Sequence, residues 1–141
     1  MPGDERDAFE ALVRRYGRPG PQTKELAEQL TDDGDCWSAA WRESRARGGR
    51  YVEGVCVIGN RRIRAHSWVE VDGPFGAVLV ECTRGYENAH RYLGIAIDSS
   101  RGSKAARSTS RWPSDHRASV IEALVMLGFT QGEIAEMLAT Q

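Results

Sequence analysis

The sequence predicts a small α+β fold in which helices at both ends of the chain flank an antiparallel sheet of about four strands. Apolar residues recur at helical spacing from Phe9 to Tyr16. Four β-branched or alternating runs follow one another in the centre of the chain, and the short loops between them favour antiparallel pairing. Two more helical patterns lie at the end of the sequence. The predicted order along the chain is therefore helices, then the sheet, then helices.

The amino-terminal third predicts three helices. Gly17 and Pro19 end the first one, and Leu26 and Leu30 lie four residues apart on one side of the second. Asp35 is the expected cap of the third helix. The three predicted helices cover residues 5–16, 22–30 and 36–46.

The centre and the end of the chain predict four strands, a linker and a helical hairpin. Thr130 and Glu133 form a capping-box pattern for the last helix. The predicted strands are 51–58, 63–71, 77–83 and 92–97, and the predicted helices are 116–127 and 131–139. The domain organisation that follows is an α+β domain at 1–98, a Ser- and Arg-rich linker or mobile loop at 99–115, and a C-terminal helical hairpin at 116–141.

Composition narrows the classes of function. The net charge of −1 gives no general attraction to nucleic acid or membrane, and no apolar run reaches the roughly 20 residues of a membrane helix. The polar, acidic start does not resemble a secretory signal, so we expect a cytoplasmic protein. The three cysteines form no CxxC pair, and we expect neither a metal nor an organic cofactor.

Cys36 is the best candidate nucleophile because it stands at a predicted helix start. The first amides of a helix lack internal partners and the helix dipole is positive there, so both stabilise the reactive thiolate. The same amides can receive an oxyanion when a carbonyl is attacked. A buried apolar role is the alternative for Cys36. It is the favoured role for Cys56 and Cys82, neither of which begins a helix.

His66 and Glu81 are the candidate partners of Cys36. His66 lies in the alternating run IRAHSWVEV, and Glu81 lies in the apolar run AVLVECT, where an unpaired carboxylate is costly to bury. If the connecting loop has an even number of residues, such as 72–75, the two side chains fall on one face and opposite one another. The carboxylate would then hold the imidazole. Packing of His66 and solvent exposure of Glu81 are the alternatives.

The stretches GDCWSAAWR, YVEGVCV, AHSWVEVDG and VLVECTRGY resemble the core of transglutaminase-like and papain-like cysteine enzymes, most closely their small bacterial and phage members. The HSWVE stretch also resembles the leader peptidases of lasso-peptide biosynthesis. This resemblance covers roughly residues 34–97. It implies a catalytic triad of Cys36, His66 and Glu81, although the acid in these families is usually aspartate.

Three hypotheses about function follow, and the third is a nucleic-acid-associated module that uses the linker and the terminal hairpin. The first is a cysteine hydrolase or acyltransferase, acting on a peptide or protein as a peptidase, deamidase or transglutaminase-like enzyme. The second is a catalytically inactive binding or inhibitor protein on the same scaffold. The C-terminal hairpin resembles the first two helices of a helix-turn-helix unit, but we expect no third helix of the kind that enters a DNA groove. We therefore expect it to dock on the domain, on a second copy or on a protein partner.

Overall fold

The computed structural model describes residues 3–32, 36–59, 62–97 and 119–138. Within these ranges the chain forms four helices: α1 (Gly3–Tyr16), α2 (Cys36–Arg47), α3 (Val120–Met126) and α4 (Gln131–Met137). It also forms six strands: β1 (Arg18–Pro19), β2 (Thr23–Thr31), β3 (Arg50–Ile58), β4 (Arg62–Gly73), β5 (Gly76–Thr83) and β6 (His90–Ile97). The predicted α+β class is correct. The predicted linker at 99–115 and the predicted cap Asp35 lie outside the described residues.

The sheet is larger than predicted and is mixed. Its strand order is β1-β6-β3-β4-β5-β2, and β2 runs parallel to β5 while the other neighbours are antiparallel. The helix predicted at 22–30 is wrong, because these residues form β2. Thr23 to Leu26 pair with Val78 to Glu81. This pairing with the backbone of β5 outweighs the local preference of these residues for a helix.

The sheet is strongly curled because its two edge strands are close in sequence. Only residues 20–22 separate β1 from β2, and such a connection spans about 14 Å at most. The edges of a flat six-stranded sheet would lie about 24 Å apart. The amide of Gly20 donates to the carbonyl of Tyr92 at 2.8 Å. The sheet therefore has an outer face and a concave inner face.

The outer face, called the helix face below, packs against α1 and α2, and α3 and α4 pack against α1. Alternation along β4 sends Ser67 and Val69 to this face and His66 and Trp68 to the inner face. The main core lies under the helices and contains Phe9, Leu12, Val13, Ala39, Ala40, Trp41, Tyr51, Val69, Val80, Ile95, Ile97, Val120, Ile121, Leu124, Ile134 and Leu138.

The inner face holds a second, smaller core built around Trp68. Its buried members are Val52, Cys56, Trp68, Leu79, Tyr86, Ala89 and Tyr92. Gly94 makes room for the indole ring, since a Cβ atom at that position would lie 2.6 Å from both Trp68 and Val52. Two separate cores thus share one sheet.

The C-terminal hairpin, α3 and α4, contributes to the main core rather than standing apart from it. Gly128 turns the chain between its helices with a φ of 87°. Thr130 and Glu133 form the reciprocal capping box at the start of α4, as predicted. Val120, Leu124 and Ile134 bury their side chains in the same cluster as α1 and β3. The hairpin therefore belongs to the folded domain.

Candidate functional site

His66 and Glu81 meet on the inner face of the sheet. The β4–β5 connection is a two-residue turn, Pro74–Phe75, between the paired Gly73 and Gly76. This even loop gives His66 and Glu81 the same face. The described ladder ends at Val69–Val80, and continuing its register puts Glu81 opposite Trp68. His66 is therefore its diagonal neighbour rather than the residue directly opposite, which corrects the predicted pairing.

The imidazole of His66 is held through one nitrogen only. Its Nε2 lies 3.0 Å from Oε1 and 2.8 Å from Oε2 of Glu81, and both side chains are fully buried. A carboxylate has only acceptors to offer, so Nε2 carries the hydrogen. Nδ1 is buried and, among the described residues, has no hydrogen-bond partner.

Glu81 is itself fixed by two further donors. The hydroxyl of Tyr92 donates to Oε1 at 2.7 Å, and the amide of Thr83 donates to Oε2 at 3.1 Å. Burial first, and then Glu81, raise the pKa of Tyr92, which keeps this phenol a donor. Glu81 thus holds His66 in one orientation, as the acid of a catalytic triad would.

The pair is covered by a stacked ring and a lysine. The ring of Tyr86 stacks on His66 with centroids 3.8 Å apart and an interplanar angle of 2°. Lys24 lies beside Tyr92, the residue that bonds Glu81, and its ammonium is 5.1 Å from the centre of the Tyr92 ring. Burial lowers the pKa of Lys24, while Glu81 acts in the opposite direction. None of Tyr86, Tyr92 and Lys24 was identified from the sequence.

Cys36 is not joined to His66. It begins α2, as predicted, and its side chain is 3% exposed. The body of α2 packs on the helix face, where Trp41 meets Tyr51 edge to face with centroids 5.1 Å apart. Cys36 is the last-named of the groups that raise the pKa of Tyr51, after burial and Glu53. No hydrogen bond links the His66 ring to the Cys36 thiol, because Nε2 is bonded to Glu81 and Nδ1 has no partner among the described residues.

The other cysteines are also buried. Cys56 belongs to the inner core. Cys82 lies on the helix face, where burial first and Glu43 second raise its pKa to about 12. Cys82 forms part of the floor of an open cleft of about 410 Å³ between β2 and α2. Its other lining residues are Glu28, Gln29, Thr31, Ala39, Arg42, Glu43 and Ala46.

Glu53 forms a second buried carboxylate site, which the sequence analysis missed. It lies on the helix face and accepts from Tyr51 Oη at 2.6 Å, Ser119 Oγ at 2.6 Å, and the amides of Val120 at 2.8 Å and Ile121 at 3.1 Å. Burial raises the pKa of Glu53, and these hydrogen bonds oppose the rise. The available signal was a carboxylate in the apolar run YVEGVCV.

Comparison with known proteins gives no further assignment: no family model, curated protein or solved structure matches the chain. Among the described residues, no group of three or more His, Cys, Asp and Glu side chains could hold a metal ion. No helix in the described ranges has the length and apolar character needed to cross a membrane. Geometry and chemistry therefore carry the functional argument alone.

Proposed function

We propose that this chain is a non-catalytic binding protein that has a scaffold resembling the transglutaminase-like enzymes. The observation that carries the proposal is that Nδ1 of His66 has no hydrogen-bond partner among the described residues, so the imidazole is not bonded to the Cys36 thiol. A general base must come within hydrogen-bond reach of the proton it removes, directly or through one water.

The burial of the three candidate residues also supports the proposal. Glu81 and His66 are fully buried and Cys36 is 3% exposed, so a substrate carbonyl has no open approach to a thiol that is aligned with a base. The resemblance implies a peptide or protein as the ligand. The cleft between β2 and α2 has room for an extended segment and lies beside β2, an edge strand of the kind that adds a further strand.

Selection of peptides from a displayed random library tests the cleft as the binding site. We expect the selected peptides to lose at least about tenfold in affinity for the Ala46→Trp variant, because the indole would fill the cleft. Arg45→Trp is the matched control, since Arg45 is an exposed residue of the same helix outside the cleft lining. Selected peptides that bind all three proteins equally would show that the cleft is not the site.

A thiol acyl-transfer enzyme is the second candidate function. It is favoured by Nδ1 of His66, which has no hydrogen-bond partner among the described residues and could accept a proton. In this reaction Cys36 attacks a carbonyl, His66 takes the thiol proton and returns it to the leaving group, and Glu81 orients His66. Water or an amine then accepts the acyl group, so hydrolysis, deamidation and transamidation share the first step. This candidate requires the Cys36 sulfur to reach Nδ1.

The alkylation of Cys36 separates the two candidates. An enzyme would show a thiolate at acidic pH that disappears when His66 is replaced, because the imidazolium stabilises it. The binding protein that we propose would show slow alkylation with the same pH dependence in the His66→Gln variant. Cys36→Ser is the control that assigns the labelled peptide.

A further inference from the structure

The segment Arg84–Ala89 buries two side chains, the ring of Tyr86 over His66 and Ala89 in the inner core, while the rest of it faces solvent. Tyr86 is 3% exposed, whereas Arg84, Gly85, Glu87 and Asn88 are exposed. Within the segment, the backbone bonds run from the Tyr86 amide to Thr83 at 3.3 Å and from the Ala89 amide to Tyr86 at 3.0 Å. Its contact with the inner face is therefore made by the Tyr86 ring and by Ala89.

Lys24 holds this segment closed. Its ammonium donates to three backbone carbonyls of the segment, those of Tyr86 at 2.9 Å, Glu87 at 3.1 Å and Ala89 at 2.8 Å. A lysine ammonium has three donors, and all three are used on one segment. The side chain comes from β2, more than 60 residues away in sequence. Arg84 anchors the start of the segment, with its amide donating to the carbonyl of Thr31 at 2.7 Å and its side chain 3.0 Å from Asp32. Lys24 is thus the polar tie of residues 86–89 to another strand.

Two polar atoms on the inner face near Tyr86 lack partners within the described part of the chain. They are Nδ1 of His66 and Oγ1 of Thr83, and both are buried. The two residues share the inner face, and continuing the β4–β5 register places them opposite one another. A buried polar atom without a partner costs free energy that a bound polar group would recover.

We propose that residues 84–89 form a lid, latched by Lys24, over a binding site whose floor is His66. The ligand is a planar aromatic or heteroaromatic ring that carries a hydrogen-bonding group on a short side arm. The ring would replace that of Tyr86 on the imidazole, and the arm, bent out of the ring plane, would bring its polar group to Nδ1 in the plane of the imidazole. This inference does not depend on the proposed function, because it involves neither Cys36 nor the cleft.

Modification of histidines by diethyl pyrocarbonate measures lid opening in the full-length protein. The reagent attacks accessible neutral imidazole, and the exposed His90 supplies the internal reference. We expect slow modification of His66 in the parent protein. The rate at His66 should rise at least about tenfold in Lys24→Met, which removes three hydrogen bonds, with His90 unchanged.

A second variant weakens the lid through its backbone and leaves Lys24 in place. Gly85 has a φ of 94° and open space around its Cβ position, so Gly85→Ala strains only the closed loop. Gly59→Ala is the matched control, because Gly59 has a φ of 60° and equally open space but lies in another turn. We expect about tenfold faster modification of His66 in the first and no change in the second.

The lid is refuted if His66 reacts as slowly in both lid variants as in the parent protein. If either variant fails to fold, hydrogen exchange in the parent protein decides the question. A lid predicts that the amides of Tyr86 and Ala89 exchange faster than those of the core strand β3. Equal exchange at both places would mean that the segment opens only when the whole protein unfolds, and the proposal would be wrong.

The ligand class is tested with benzyl alcohol and with cyclohexylmethanol, which has the same hydroxyl arm but no planar ring. In the Gly85→Ala protein, we expect benzyl alcohol to shift the ring-proton resonances of His66 by its ring current, and cyclohexylmethanol to leave them in place. Binding of neither compound, or equal shifts from both, would refute a site for planar rings.

Discussion

Two buried glutamates lie on opposite faces of one sheet, and they are used differently. Glu53 and Glu81 are both fully buried, and each accepts hydrogen bonds on both oxygens. Every donor to Glu53 is a fixed group of the fold, a phenol, a hydroxyl or a backbone amide. One donor to Glu81 is an imidazole whose second nitrogen has no partner among the described residues.

The difference shows that a buried carboxylate can either hold elements of the fold together or orient a side chain of a site. Glu53 joins the sheet to the start of the C-terminal hairpin, since three of its donors belong to Ser119, Val120 and Ile121. Glu81 joins β5 to side chains of β4 and β6 and to the amide of Thr83. Removal of Glu53 should therefore lower the free energy of unfolding. Removal of Glu81 should lower it less and should mainly free the His66 ring from its fixed orientation.

The largest expected effect is that of Glu53→Ala. The substitution leaves two hydroxyls and two amides without an acceptor in a closed site, so we expect a loss of about 3–5 kcal/mol in the free energy of unfolding. Urea denaturation measures the loss, and hydrogen exchange should show that α3 and α4 lose protection first. Glu122→Ala is the control, because it keeps the backbone amide that donates to Ser119 and changes a side chain of α3 that does not donate to Glu53. A loss under about 1 kcal/mol would contradict the role of Glu53 as the anchor of the hairpin.

A smaller loss is expected for Glu81→Gln. The amide keeps one acceptor oxygen but places an NH₂ group against other donors, so we expect a loss of about 1–3 kcal/mol in the free energy of unfolding. The resonances of the His66 ring should shift because its Nε2 partner has lost its charge. Glu70→Gln, beside Trp68 on β4, should stay within about 0.5 kcal/mol of the parent protein. Equal losses of stability in Glu81→Gln and Glu70→Gln would contradict a special role of Glu81 in holding His66.

The fold and the site could be predicted from the sequence where the signal was local. The four central strands follow from their β-branched and alternating runs, and the face shared by His66 and Glu81 follows from the period of two and an even turn. The sequence of β2, TKELAEQLT, consists largely of good helix formers, and only its pairing with β5 makes it a strand. A parallel neighbour from a distant segment leaves no local pattern.

The contacts made across the sheet could not be predicted for a similar reason. Lys24 lies 62 residues before Tyr86, and Glu53 lies 66 residues before Ser119, so neither pair shows any spacing that a single sequence could reveal. Glu53 could have been suspected by the argument applied to Glu81, namely a carboxylate in an apolar run. The side of the sheet on which α2 lies depends on how the chain crosses from β2, which composition does not determine.

A pH effect provides a third test of the comparison between the two glutamates. The pKa of Glu53 is raised by burial above its ordinary value of 4.5. The folded protein then binds the proton more tightly than the unfolded chain, so this contribution to stability is full below about pH 4.5 and falls as pH rises through the folded-state pKa. Glu53→Gln lacks the titration. The stability of the parent protein relative to this variant, measured in urea, should therefore decrease as the pH rises above about 4.5. An increase would contradict the raised pKa.

The smallest expected effect concerns the central claim, that Cys36 is not activated by His66. The measurement is the rate of Cys36 alkylation by iodoacetamide between about pH 5 and about pH 9, in the parent protein and in His66→Gln and Glu81→Gln. The account predicts slow labelling, with pH profiles that agree within about twofold in all three proteins. Rapid labelling near pH 5 that is lost in both variants would show a thiolate–imidazolium pair. That result would replace the binding protein with a cysteine enzyme.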